Sequence, residues 1–522
     1  MAMMIFRSIR PQSCAAPLAV VLGLACLAYA QIPNSGRPGQ PQHGTTALRL
    51  HSPNPHYLEF HGKPVILVTS GEMYGSIVNL DFDYVKYLDT LHRDELNLAR
   101  IFVGGYNEVR EVWPTYPKNN LIVAPDRFIA PWAVSGETGA GRGGNKFDLN
   151  RWDPAFFNRL KDFIRQAGKR QIFVEVTFTS SLYHDMQWKM HPLHPANNIN
   201  GISDIEWRKV HTLENDNILG YQEKLMRKLV RELNDFDNIY YEIQNEPWAD
   251  NSWLADVVNP YMKESVLYKF PNAITIPSAA SLTWQKHMAA VLVDEESRLP
   301  QRHLVAQNYC NFRCSPAEVD PAISIMNFHY AYPEIVGINY GWGRVISYDE
   351  SGFLNVPPDA GYRREAWGFL LAGGGIFDGL DLSITVGKED GTDEAPTGTA
   401  GGSPAFRRQL GILSRFIHSF DFARMRPDTS FIRTSPGAVA RGLARTGDQY
   451  ALYLTGKGTC PLEVDLPAGK YRIEWMDTTN SSVVKSESFE HGGGLRVLAS
   501  PEFNEDIALA IRNMGRRSGA DR

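Results

Sequence analysis

The sequence predicts an α/β chain: a (β/α)8 TIM barrel followed by a small antiparallel β-sandwich. Three observations predict it. Strand and helix signals alternate through most of the 522 residues, as parallel βαβ units require. Two of the strand candidates end in acids, at Asn245-Glu246-Pro247 and at Asp349-Glu350-Ser351, and barrel folds keep their chemistry at the C-terminal ends of the strands. After Pro427 the alternation stops, and short period-two runs separated by Gly, Pro, Asn and Asp take over. A doubly wound sheet is the alternative, but Ser70-Gly71-Glu72-Met73-Tyr74-Gly75 after the first strand lacks the glycine spacing of a phosphate loop.

The elements follow in order. Residues 1–30 read as a signal peptide: Arg7 and Arg10 supply positive charge, residues 15–29 are apolar, and Ala28-Tyr29-Ala30 is a small-residue cleavage site. The apolar run is short for a membrane span, and no other segment is apolar enough for one. Removing the leader takes away two positive charges and no acid, moving the net charge from −5 to −7. An acidic chain without a basic stripe is a poor nucleic-acid binder. Secretion or delivery to a periplasm is the implied location. Residues 31–46, rich in Pro, Gly and polar residues, form a flexible lead-in.

The barrel is expected over 47–425. Strands are predicted at 64–69, 97–103, 171–178, 240–245, 303–307, 323–329, 344–349 and 375–377. Helices are predicted at 81–93, at 153–167 with Asp153-Pro154 as its cap, and at 217–234, 363–372 and 405–420. Two inserts, 104–146 and 387–404, carry few regular signals and follow barrel strands, where they would shape a cleft or hang as slack loops. The β-sandwich is expected over 428–512, with strands at 438–444, 449–454, 462–466, 470–477 and 506–511, and a disordered tail over 513–522. Of five cysteines, Cys14 and Cys26 belong to the leader, and Cys310 and Cys314 are spaced to close a small disulfide loop. Hydrophobic residues at 43% and charged residues at 21% suit a large core; 11% aromatics serve either that core or sugar platforms.

The chemistry is carried by Glu246 and Glu350. The strand ending in Asn245-Glu246-Pro247 is stopped by proline, which leaves an amide and an acid at its tip. One group can trade a proton while the other grips a hydroxyl. Glu350 lies 104 residues later at the tip of the seventh strand, with Asp349 beside it as the fallback. Strands four and seven face each other across a barrel mouth, and a retaining glycosidase needs two carboxyls about 5–5.5 Å apart. Glu246 is the acid/base candidate and Glu350 the nucleophile. Trp248, Trp284 and Trp342 are candidate sugar platforms, while Glu72 and Tyr74 face the mouth. Glu175 and Glu242 suit internal ion pairs.

These motifs resemble the large (β/α)8 superfamily of retaining glycoside hydrolases that includes family 5 cellulases and mannanases. Asn245-Glu246-Pro247 resembles the fourth-strand motif, and Glu350 the seventh-strand nucleophile, over residues 47–425. The resemblance implies that Asn245 holds the substrate's 2-hydroxyl and that Arg100 keeps the nucleophile ionised. It also implies that Asn327-Phe328-His329-Tyr330 supplies a histidine and a tyrosine near Glu350. The sixth strand reads His329-Tyr330-Ala331-Tyr332 where the family pattern is His-x-Tyr, so either Tyr330 or Tyr332 could bond Glu350. The third strand lacks the histidine often found at its tip.

The expected function is an exported retaining glycoside hydrolase acting on a β-linked poly- or oligosaccharide. Two carboxylates suffice for that reaction, so no metal or organic cofactor is expected. A catalytically inactive carbohydrate-binding barrel and a transglycosylase using the same intermediate are the alternatives.

Overall fold

The structure, a computed structural model, describes residues 46–112, 118–250, 252–256, 273–311, 314–352, 358–394 and 401–515. The expected leader, the lead-in up to residue 45, residues 395–400 of the second insert and the tail from 516 lie outside the described residues.

Eight parallel strands form one sheet. In chain order they are Leu67–Val68, Leu98–Phe102, Phe173–Ser180, Ile239–Asn245, Val305–Asn311, Ile325–His329, Val345–Glu350 and Ile376–Phe377, hereafter strands one to eight. Their spatial order is one-eight-seven-six-five-four-three-two. A bridge between Glu72 and Arg100, and the Asn97 N–H donated to the Val68 carbonyl at 3.2 Å, close the circle. The strands are buried on both faces because helices cover the outside and side chains fill the inside. Helix Tyr84–Arg93 starts where the Asp83 carboxylate accepts the Val85 and Lys86 N–H groups, and Pro154–Lys169 starts at Asp153 with proline in its first turn. Ile218–Leu233, Ala279–Glu296, Glu334–Asn339, Pro358–Leu370 and Pro404–His418 continue the ring. Among the described residues no helix separates strands five and six.

Period two sorts the barrel interior into layers. Leu67, Leu98, Phe173, Tyr240, Ala306, Ile325, Val345 and Ile376 form an apolar floor. A three-stranded antiparallel sheet, Arg49–Leu50, Leu58–Phe60 and Lys63–Val65, contributes Leu58 and packs Leu50, Phe60 and Val65 against that floor. The expected first strand at 64–69 is thus two strands, and only Leu67–Val68 belongs to the barrel. Two residues further along the strands stand Arg100, Glu175, Glu242 and Asn327, all fully buried. The strand tips come next.

The C-terminal domain is a sandwich of antiparallel sheets. Six strands, Arg426–Pro427, Ala438–Arg445, Gln449–Gly456, Asp506–Asn513, Gly469–Met476 and Val483–His491, pair in that order. They face a sheet of Ile432–Thr434, Pro461–Leu466 and Gly494–Ala499. Tyr450, Leu452 and Leu454 point into the sandwich core, while Ala451 and Tyr453 on the opposite face join the barrel's core. The expected tail begins too early, since the last strand runs to Asn513.

Several elements differ from expectation. A hairpin, Trp132–Thr138 with Asn145–Trp152, occupies the end of the first insert and runs past it. A second pair, Ser252–Asp256 with Ala273–Pro277, follows strand four. Helix Ala279–Glu296 was not legible because it is apolar on several sides, buried against both strand four and helix Ile218–Leu233. Val483–His491 and Gly494–Ala499 escape notice because they bury little on either face, so exposed Val483, Val484, Leu495 and Val497 give no clean alternation of apolar and polar residues. No helix among the described residues is long and apolar enough to cross a membrane.

Candidate active site

The tips of strands four and seven bring the two predicted carboxylates together. Glu246 and Glu350 each place an oxygen within 4.8 Å of the other and of a His329 ring nitrogen. His329 Nδ1 lies 3.0 Å from Glu246 Oε1 and 3.6 Å from Glu350 Oε2. The local backbone is unusual here. Glu246 has φ +48°, Tyr330 +49° and Tyr332 +56°, left-handed values that L-residues adopt at a cost and that cluster at functional sites. A register break pairs His329 with Glu350 and skips Asp349. Asp349 therefore points down into the barrel, while Glu350 turns up into the mouth.

Each catalytic candidate is gripped by hydroxyls. Tyr183 donates to Glu246 Oε2 at 2.5 Å, and the Glu246 carbonyl accepts from Ser181 Oγ at 2.6 Å. Glu350 accepts from Tyr74 at 2.5 Å on Oε2 and from Tyr330 on Oε1. Tyr330 is thus the sixth-strand tyrosine that bonds Glu350. Burial pushes the Glu350 carboxyl above its ordinary value; nearby Glu246 adds to the rise, while His329, Arg100 and the Tyr330 hydroxyl restrain it.

Arg100 lies lower than the family resemblance implies. Its guanidinium is 2.6 Å from Glu242 and 2.8 Å from Asn245 Oδ1, 3.2 Å from Asp349, and 3.7 Å from Glu350. Its first work is to neutralise the acids beneath the site. Glu242 also accepts from Thr177 at 2.7 Å and Asn327 at 2.9 Å, and from Asn308. Burial, and then the charge of Glu242, hold the Glu175 carboxyl far above the carboxylate range. Glu242 makes the internal ion pair the sequence suggested, with Arg100, while Glu175 accepts from Tyr240 at 2.8 Å and from Asn327 at 2.7 Å. Asn245 Nδ2 donates to Ser180 at 3.1 Å and to Tyr183 at 3.2 Å.

The tryptophans sort differently. Trp248 is buried and meets His329 edge to face at 5.3 Å, so it props the imidazole. Trp284 is fully buried in a helix and donates to Gln222 at 3.0 Å, which makes it core. Trp342 lies in the turn leading into strand seven, at the opposite end of the barrel from the tips. Cys310 and Cys314 are free thiols, not a bridge. Glu72, beside Glu350, is buried with neither oxygen hydrogen-bonded, and burial raises its pKa well above the ordinary carboxylate value.

Sequence reasoning missed Tyr183, Asn308 and the part played by Asp349. Tyr183 follows strand three and Asn308 lies on strand five, so position relative to the strand tips was the available signal. By spacing, Glu175, Glu242 and Asp349 could surround a cation, as could Glu246, His329 and Glu350. Arg100, Asn308, Asn327 and four tyrosine hydroxyls (Tyr74, Tyr183, Tyr240 and Tyr330) already donate to these carboxylates, and none is assigned to a metal.

No protein-family model and no curated protein matches the chain. Solved structures do. A glycoside hydrolase aligns over 91% of this chain and 98% of its own, with 14% identity and a TM-score of 0.59. A glycoside hydrolase family 5 protein from Bacteroides vulgatus aligns over 92% of this chain and 96% of its own, with 13% identity and a TM-score of 0.58. Over nine-tenths of its length, the chain has the fold of solved glycoside hydrolases.

Proposed function

We propose that the chain is an exported retaining glycoside hydrolase of β-linked poly- or oligosaccharides, with Glu350 as nucleophile and Glu246 as acid/base. The observation that carries this reading is the pair of carboxyls on strands four and seven with oxygens within 4.8 Å. Oxygens that near suit attack by one carboxylate and a covalent intermediate, for which the two carboxyls stand about 5–5.5 Å apart. The fold shared with glycoside hydrolases supports it. So does the leader at 1–30, for export to a periplasm or beyond.

In the first step a Glu350 oxygen bonds the anomeric carbon as the glycosidic C–O bond breaks, and the Glu246 proton passes to the leaving oxygen. In the second, Glu246 takes a proton from water, whose oxygen bonds the anomeric carbon as the Glu350 ester breaks. Tyr74 and Tyr330 orient the attacking carboxylate, and Tyr183 orients the proton donor. The test is sugar release from β-glucans, β-mannans, xylans and aryl β-glycosides by the wild type, Glu246→Gln and Glu350→Gln. Release by the wild type and loss of at least about a thousandfold in Glu350→Gln is expected. Folded wild-type protein silent on all of them, yet binding glycan equally well as Glu350→Gln, would favour the binding-barrel reading.

A further inference from the structure

His329 faces three carboxylates and touches two of them by one atom. Its Nδ1 serves Glu246 at 3.0 Å and Glu350 at 3.6 Å. Its Nε2 faces Asp349 Oδ1 at 3.5 Å. That distance is long for a hydrogen bond. Yet both atoms are fully buried and neither has another hydrogen-bond partner among the described residues. A buried donor and a buried acceptor left facing only each other form an electrostatic pair. The other Asp349 oxygen is held by Asn308 at 3.0 Å and Arg100 at 3.2 Å, so the carboxylate cannot swing away.

We propose that Asp349 is a positioning residue that keeps His329 charged, and that this imidazolium is the cation shared by Glu350 and Glu246 as the negative charge passes from one to the other during turnover. The proposal rests on the roles assigned above. Before attack, Glu350 is the anion and Glu246 holds its proton. In the glycosyl-enzyme, Glu350 is a neutral ester and Glu246 is the anion. One negative charge is present in both states, and only its place changes. A fixed cation within reach of both oxygens pairs the charge in each state without moving, and no proton leaves the ring. A neutral ring would leave the Glu350 anion with Arg100 alone, at 3.7 Å, and the Glu246 anion of the second state with no cation among the described residues, which is costly.

The groups around the ring agree with this. Glu246 faces it from strand four, and Asp349 and Glu350 from strand seven. Arg100 of strand two and Glu242 lie below through Asp349, Tyr183 lies beyond Glu246, and Glu72 and Tyr74 from the segment after strand one lie beyond Glu350. Burial opposes the charged ring, but Asp349 and Glu350 outweigh it and hold His329 well above the usual histidine range. Burial likewise opposes ionised Asp349, while His329 and Arg100 keep it below the usual carboxylate range.

Isotope-labelled histidine NMR of the whole chain, with His329→Gln to assign the signal, reads the ring directly. The wild-type ring is expected to stay doubly protonated well above the usual histidine range. In Asp349→Asn its midpoint is expected to fall by about one pH unit or more. A ring already neutral at about pH 7 in the wild type overturns the proposal, and that measurement needs no variant to fold at position 349. An unmoved midpoint in folded Asp349→Asn overturns it as well. Neither readout needs turnover, whereas failure of the glycosidase reading would show as no sugar release by the wild type. With activity in hand, the acid limb of the kcat/KM profile in Asp349→Asn is expected to move to higher pH, because the lost neighbouring cation had lowered the Glu350 carboxyl. A fall in kcat with that limb unmoved would mark a structural role only and overturn the proposal.

Discussion

At the scale of single residues, the site is a set of carboxylates whose chemistry is decided by what donates to them. Tyr330 is the clearest case. Its hydroxyl bonds Glu350 and helps restrain the rise that burial imposes on that carboxyl. Tyr330→Phe is expected to lower kcat/KM about tenfold to a hundredfold, the range for losing a hydrogen bond to a charged group. The sign of its pH effect follows from the ionisation. The nucleophile must be anionic, so activity falls as pH drops through the Glu350 pKa. Because burial already raises that pKa, the acid limb lies above the ordinary carboxylate value, and removing Tyr330 moves it higher still. A limb that moved to lower pH would contradict the hydrogen bond's role. Tyr183→Phe, which strips the 2.5 Å bond from Glu246, is expected to lower kcat/KM over a similar range. Glu246 and Glu350 were legible because strand-tip position and residue type point to chemistry, whereas the roles of His329 and Arg100 came from the family resemblance. Asp349 and Glu350 could not be told apart by alternation, because the register break beside His329 cancels period two at the one place it was needed. Asn308 and Tyr183 carry no charge and join no sequence motif, so only the closing of the barrel reveals them.

At the scale of elements, what the sequence reveals depends on whether an element has one wet face. Helices Tyr84–Arg93, Pro154–Lys169, Ile218–Leu233 and Pro404–His418 do, and their caps and stripes predicted them within a few residues. Helix Ala279–Glu296 buries Trp284, Met288 and Leu292 but also Ala289, Val291 and Glu295, so no stripe stands out. Loops are harder, since their order depends on contacts distant in sequence. The loop after strand eight is an example. Arg407 from the closing helix reaches Asp381 at 2.6 Å and Asp94 at 3.0 Å, all buried, and Asp381 also accepts from Ser383 Oγ at 2.6 Å. Gly401 bridges back to Asp381, and Gly402 beside it has φ +125°, where a Cβ would lie 1.9 Å from Asp381 Oδ1. Both the conformation and the clash forbid a side chain. Gly402→Ala is expected to destabilise the protein by more than about 2 kcal/mol, read as a lower urea midpoint at an unchanged slope. A midpoint within error of wild type would mean the loop is not pinned as described.

At the scale of the whole molecule, the sandwich is joined to the barrel by a shared core rather than tethered beside it. Leu443, Ala451, Tyr453, Ala508 and Ala510 of the six-stranded sheet belong to the same buried cluster as the barrel helices, and Trp367 stacks on Tyr453 with ring centroids 5.5 Å apart. The sequence announced the sandwich through its turns but not this docking, because alanines on alternate positions fit a wet face as readily as a dry one. A buried ion pair crosses the junction: Arg363 Nε lies 3.0 Å from Asp506, whose carboxylate also accepts from Tyr453 at 2.9 Å. Burial opposes the Arg363 charge, but Asp506 outweighs it and raises the guanidinium's pKa. Arg363→Ala leaves that carboxylate without its cation, a loss that costs about 3–5 kcal/mol for buried pairs. If barrel and sandwich fold as one unit, the whole cost falls on a single transition. Calorimetry of the wild type is then expected to show one peak whose calorimetric and van't Hoff enthalpies agree, and Arg363→Ala one peak at lower temperature with catalytic activity lost at the same midpoint. Two peaks, with activity surviving the first, would mean the sandwich melts independently and the barrel holds its strand tips without it.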